Sequence, residues 1–355
     1  MNSVHLHRKL KQELQCIAPR MGQPQMTNLA LWSQALALSP DCHLANLALE
    51  MPVAGERENL IQRARRSLAG HQFVWRREYV PFVRHLLAHW TGEEVVLVMD
   101  RTDLERKHSI LMLGAAYRKR LLPLTWRVLP FGGTGVDVQQ ALLREVKPYL
   151  PAGVQTHFYA DCEFRGVEVQ RLCQNLGWHW QVGLKSDTYI QLSGQEWVQA
   201  RDLPLGPGER RYWQQVCITH RHAFGPVNLI GDWSPNQTAP HFWVTESPAN
   251  RHAWRRGRKR YWIEPTFRDW KSYGFDLEES KIDDCDRLNM LIFHLSVATL
   301  WMIYIGDWLI RHRHDHLLTR NHPQDYSVFR LGRDYVHRCQ VMNWSVPVGF
   351  TVTHS

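Results

Sequence analysis

Several common signatures are missing from this sequence, and each absence removes a class. The seven cysteines are scattered and odd in number, with no C-x-x-C pair among the 355 residues. That argues against a disulfide framework and a cysteine-ligated zinc site, and it fits a reducing cytoplasm. No G-x-S-x-G, phosphate loop or dinucleotide-binding glycine pattern occurs in a strand-to-helix context. The glycine-rich "FGGTGVD", 131–137, has no Lys-Ser/Thr pair behind it and reads as a loop between a strand and a helix. Internal repeats and low-complexity tracts are absent. The N-terminus, "MNSVHLHRKLKQELQ", is amphipathic and charged, without the apolar core of a signal peptide. The longest apolar run, "MLIFHLSVATLWMIYIG" at 290–306, is broken by His294, Ser296 and Thr299. It reads as a buried core helix, and no membrane partner is expected.

What is present is a basic chain able to bury a large core. Hydrophobic residues make up 44%, and Lys plus Arg exceed Asp plus Glu for a net charge of +9. The length suggests two or three domains. The charge points to a polyanionic partner, with nucleic acid first. The sixteen Trp serve mainly as core residues, although indoles also stack on unpaired bases.

Residues 1–88 carry apolar positions at helical spacing, punctuated by Pro40 and Pro52. The second half is Arg-rich, with Arg57, Arg63, Arg65, Arg66, Arg76, Arg77 and Arg84, and suits DNA-end binding. From 89 to 185 the pattern is strand, strand, strand, helix, strand, helix, strand, an α/β domain with a mixed sheet. Residues 186–250 are short strand-like pieces between Gly, Pro and Asn turns, a β-rich insertion. Helical pattern returns over 251–318. The tail, 319–355, is polar and irregular, and no role is assigned to it.

Two apolar strands, "EVVLVMD" and "QTHFYAD", end in Asp100 and Asp161. In α/β sheets such positions converge on the ligand crevice. A third carboxylate, Glu264, lies in "RKRYWIEPTFRDWKSYGF", where Arg260 and Lys271 fall four before it and seven after it. Those steps return to nearly one helix face. Pro265 is tolerated only in a first turn, which puts Glu264 near a helix start, where the macrodipole favours an anion. Three converging carboxylates call for a hard dication, Mg²⁺ with Mn²⁺ as a substitute. A pair of such ions clamps the attacking and leaving oxygens of a phosphodiester. Asp103, Glu105 and Glu163 are nearby carboxylates that support the first two. "RHRHDH", 311–316, lacks a spaced ligand set. "RHAWRRGRKR" places six Arg or Lys just before Glu264, and Arg255, Arg256, Arg258 and Lys259 are candidate phosphate contacts.

The blocks "LVMDRTD", "FYADCEFRGVEVQRLCQNLGWHWQVGLK" and "RKRYWIEPTFRDWKSYGFDLEES" resemble the three catalytic motifs of the IS4-type DDE transposases, over roughly residues 70–306. The resemblance implies a ribonuclease H-like catalytic core with the β-rich insertion between the second Asp and the Glu. It implies Asp100, Asp161 and Glu264 as metal-binding triad, and Arg260 and Lys271 on DNA phosphates near a transposon end. It further implies a homodimer on double-stranded DNA, with both transposon ends and target as substrates. A hairpin intermediate would form, with aromatics of the insertion steadying a displaced base; Trp233 and Trp243 lie in that insertion, and a core role is the preferred reading for each. Two positions depart from the family: Gly257 stands where it has Tyr, and Cys162 where it often has Arg. The rival readings are a ribonuclease H-like nuclease that only hydrolyses and a repurposed DNA-binding protein.

Overall fold

A computed structural model describes residues 3–70, 74–319 and 326–353. The stretches 1–2, 71–73, 320–325 and 354–355, over which the helical and tail readings also ran, lie outside the described residues. Five helices come first: α1 (Ser3–Ile17), α2 (Gln23–Leu38), α3 (Leu44–Glu50), α4 (Arg57–Leu68) and α5 (Trp75–Ala88). α1 buries Leu6, Leu10, Leu14 and Ile17, one stripe at helical spacing. α2 is buried on all sides from Leu29 to Leu38, so it is the centre of this helical layer.

The sheet follows: β1 (Glu94–Leu104), β2 (His108–Tyr117), β3 (Arg120–Pro130), α6 (Val136–Val146), β4 (Gln155–Ala160), α7 (Val167–Asn175) and β5 (His179–Leu184). Next come β6 (Tyr189–Gln191), β7 (Trp197–Gln199), β8 (Arg210–Ile218), β9 (Phe224–Asp232) and β10 (His241–Thr245). β1, β2 and β3 form an antiparallel meander, and β4 and β5 add in parallel beside β1. Val95 to Met99 are five consecutive buried residues, so both faces of the sheet are covered there. The β-rich segment does not fold away as a separate body. β10 pairs antiparallel with β5, and the whole becomes one ten-stranded sheet in the order β3-β2-β1-β4-β5-β10-β9-β8-β6-β7. The architecture is mixed α/β.

The remaining helices are α8 (Arg251–Gly257), α9 (Ile263–Arg268), α10 (Cys285–Arg311) and α11 (Val328–Met342). α10 is long and apolar enough to cross a membrane, yet 89% of its most apolar window is buried inside the protein. It packs against β3, α2, α4, α5 and α11.

The tail corrects the sequence reading: 328–342 is helical, not irregular. Val328, Phe329, Leu331, Tyr335, Val336 and Cys339 form its buried stripe, and the Arg and Asp residues between them made the segment look uniformly polar. A Cβ on Gly332 would lie 1.9 Å from the Met302 carbonyl oxygen, and one on Gly306 would lie 1.8 Å from that of Val328. The two glycines thus let α10 and α11 touch backbone to backbone. Gly332→Ala is expected to cost about 2 kcal/mol of unfolding free energy, read by chemical denaturation, because neither backbone can yield locally.

Candidate active site

The parallel ladder between β1 and β4 ends at the rung Met99–Ala160. Asp100 and Asp161 each sit one residue past it. β1 itself does not stop at Asp100, as its apolar run suggested. It continues to Leu104 because β2 keeps pairing with it as far as His108. After Asp161 the chain turns away in a 3-10 turn, Cys162–Phe164, which the Asp161 side chain caps by accepting the Glu163 N–H at 2.8 Å. Cys162 is half-buried in that turn.

Asp100 accepts the Arg101 N–H at 2.8 Å, and its side chain is only 14% exposed. Burial and the adjacent Asp161 charge push its pKa up to about 7, against the Arg101 N–H and the Arg260 guanidinium. A carboxylate that sheds its charge this readily lacks sufficient positive charge beside it.

Glu264 comes from helical chain that is less regular than its periodicity suggested. A 3-10 stretch, Arg258–Trp262, leads into α9, and a π turn, Asp269–Tyr273, follows. Three contacts fix this segment. Thr266 Oγ1 accepts the Leu121 N–H at 2.8 Å, Asp269 pairs with Arg120 at 2.5 Å, and the Trp270 indole donates to Thr299 at 2.9 Å. Pro265 lies in the first turn of α9, as expected. The Glu264 side chain is half exposed and meets Arg260 at 3.1 Å.

Arg260 is the centre of the cluster. Its side chain is 13% exposed and reaches Asp100 at 3.5 Å as well as Glu264. Lys271 reaches β1 three residues past Asp100, donating to the Asp103 carbonyl at 2.7 Å and pairing with Glu278 at 3.0 Å. The other basic candidates are elsewhere. Lys259 and Arg256 pair with Glu94 at 2.5 and 3.7 Å, and Arg256 also contacts His157. Glu94 starts β1, about 20 Å along the strand from Asp100. Arg255 and Arg258 are exposed and meet no carboxylate among the described residues. Arg258 lies over the Trp254 ring at 5.2 Å, and Arg210 at 3.3 Å.

Other residues singled out above take structural partners. Gly257 packs on β5, where an added Cβ would lie 2.0 Å from the Gln181 amide, so a Tyr fits only if Gln181 moves. Trp233 and Trp243 are half-buried, and Trp233 donates to the Gln237 carbonyl at 3.0 Å. Glu105 pairs with Lys107 and Lys281, and Asp103 accepts from Ser109 at 2.6 Å. Three contributors escaped the sequence reading. Glu94 gave no local signal. Arg101 and Thr134 stand in "DRTD" and "FGGTGVD", where they passed for loop residues.

No three His, Cys, Asp or Glu side chains among the described residues converge closely enough to hold one metal ion as they stand. The donor chemistry nevertheless fits a hard dication. The donors are all carboxylate oxygens, Asp100 is short of positive charge, and Arg260 supplies a cation to the cluster.

Residues 91–301 match the family model described as "Transposase DDE domain". A search of the curated proteins finds no match. Among solved structures, a piggyBac transposase synaptic complex with hairpin DNA is similar at a TM-score of 0.43 and 10% identity, covering 94% of this chain and 82% of that one. That likeness is too distant to argue from. The family match spans more than half of the chain and takes in Asp100, Asp161 and Glu264, so the chain belongs to the transposase DDE domain family.

Proposed function

We propose that this protein is an IS4-type DNA transposase with a ribonuclease H-like core. It cleaves transposon ends and transfers the freed strand to target DNA, as a homodimer in the cytoplasm. The observation that carries the reading is the adjacency of Asp100 and Asp161 past the last β1–β4 rung, with Arg260 between Asp100 and Glu264, inside the matched segment. Three antiparallel strands followed by two parallel ones support the core assignment. Seven unpaired thiols suit a reducing compartment.

Asp100, Asp161 and Glu264 would hold Mg²⁺, or Mn²⁺ in its place. The chemistry a bound dication supplies there is activation of water and neutralisation of charge on the phosphoryl oxygens. The protein's own groups would orient the substrate. Arg260 would turn its planar fork from Asp100 and Glu264 to a phosphate, and Lys271 would exchange Glu278 for one as a point charge. Water would open the phosphodiester at the transposon end, leaving a 3′-hydroxyl and a 5′-phosphate; the 3′-hydroxyl would then attack a target phosphodiester and displace a target 3′-hydroxyl. A cleavage assay with end-bearing DNA in Mg²⁺ tests this. Hydrolysis without any joined product would leave a nuclease and overturn the transposase reading.

Arg255 and Arg258 are the candidate phosphate contacts best placed to add affinity, since among the described residues no carboxylate pairs with them. Replacing both by Ala should flatten the slope of log affinity against log salt by about 2. Arg256→Ala or Lys259→Ala should change it far less, because Glu94 already holds those charges. Fluorescence anisotropy on duplex DNA reads both.

A further inference from the structure

We propose that Arg101, Glu163 and Thr134 are positioning residues that clasp the ends of β1 and β4 together and so set the separation of Asp100 and Asp161. The proposal rests on the reading of those two carboxylates as the metal-holding pair. The parallel ladder stops at Met99–Ala160, so no rung joins the two Asp residues. β1 stays tied to β2, while the chain after Asp161 turns off in its 3-10 turn. Two like charges set side by side repel, and past Met99–Ala160 no ladder hydrogen bond between β1 and β4 opposes their spreading.

Side chains one and two residues away supply that opposition. Arg101 Nε meets a Glu163 carboxylate oxygen at 3.1 Å, Arg101 Nη1 lies 3.6 Å from Asp103, and Arg101 also donates to the Gly132 carbonyl. The other Glu163 oxygen accepts both the N–H and the hydroxyl of Thr134, at 3.1 and 2.8 Å. Thr134 is held in turn by Gln139 of α6, whose amide donates to the Thr134 carbonyl and hydroxyl at 3.1 and 2.9 Å. Gln139 is buried, which gives the chain of contacts a fixed anchor.

Both ends of the clasp act directly on the pair. Arg101 follows Asp100, and the N–H of Glu163 is the one that Asp161 caps. The Arg101 and Glu163 side chains are 22% and 24% exposed, so water screens this ion pair less than a surface pair. The same contacts hold the glycine-rich loop, 131–135, against the acidic site. That gives "FGGTGVD" a purpose which its sequence alone left as a connection.

The test is Mn²⁺ binding, followed by electron paramagnetic resonance on the full chain stripped of metal. Asp100→Ala is the control for the site itself. Arg101→Ala and Glu163→Gln should each weaken Mn²⁺ binding by about tenfold or more, and Thr134→Val by a smaller factor. The double variant Arg101→Ala/Glu163→Gln should be no worse than the worse single, because the two act as one unit. Arg101→Lys should recover part of the loss. In DNA cleavage the same variants should lower kcat and leave KM unchanged.

Mn²⁺ affinity within about twofold of the parent in Arg101→Ala and Glu163→Gln, with Asp100→Ala defective, would overturn the clasp alone. Additive losses in the double variant would overturn it too. A parent-like Asp100→Ala would sink the carboxylate site, and the clasp with it. Should Arg101→Ala not fold, the near-isosteric Glu163→Gln carries the test.

Discussion

Asp100→Ala, Asp161→Ala and Glu264→Ala are each expected to lose end cleavage by about three orders of magnitude or more while still binding end DNA. Each removes a charge from the cluster on which the proposed phosphoryl transfer relies. Binding survives because the unpaired cations, Arg255 and Arg258, belong to other turns of the chain and make no contact with the three carboxylates. Glu264 gives the cleanest case. Its side chain is half exposed and among the described residues it pairs with Arg260 alone, so truncation leaves the Thr266, Asp269 and Trp270 anchors intact. Nicking and joining of a plasmid bearing two ends, resolved on denaturing gels, checks all three. Near-normal cleavage by Glu264→Ala would move the third carboxylate elsewhere, with Glu163 next in line.

Asp100→Asn should make the metal-free protein more stable at pH 8 and leave it nearly unchanged at pH 4. In the folded protein Asp100 titrates at about 7, against an ordinary 3.8. The folded state therefore holds a proton that the unfolded chain has released between those values, and stability falls as pH rises through the window. Below it both states are protonated and there is no penalty. Above it the penalty is complete, at up to about 4 kcal/mol. Asn removes the penalty and retains the side chain's size. Thermal unfolding in chelator at the two pH values reads the difference. An equal shift at both, or a loss at pH 8, would mean that burial and Asp161 do not strain Asp100. Together the two variants would place stability and activity in opposition at the Asp100 carboxylate, as the proposed metal-holding role requires.

Much of this site was legible in one dimension. The Val-rich run before Asp100 and the aromatic-bearing run before Asp161 are strands whose residues are buried almost throughout, and such strands read as largely apolar stretches. The helical spacing of Arg260 and Glu264 carried over to their ion pair. Less was legible where partners are remote. Glu94 meets Lys259 across 165 positions, and Thr134 meets Glu163 across 29. The α11 stripe was present in the sequence but masked by charged residues on the exposed face.

The sequence by itself determined which residues are candidates for chemistry: a basic chain, two Asp-bearing strands, and a Glu flanked by Arg and Lys at helical steps. These are local properties, set by periodicity and charge within a few residues. The tertiary structure alone decided how they are used. It seated Arg260 between Asp100 and Glu264, spent Arg256 and Lys259 on Glu94, and extended the insertion into a single sheet. It also tied Arg101 to Glu163 past the last rung. Those outcomes depend on which distant strands pair and which helices touch, and that is settled by burying surface across the whole chain, a quantity no short stretch of sequence contains.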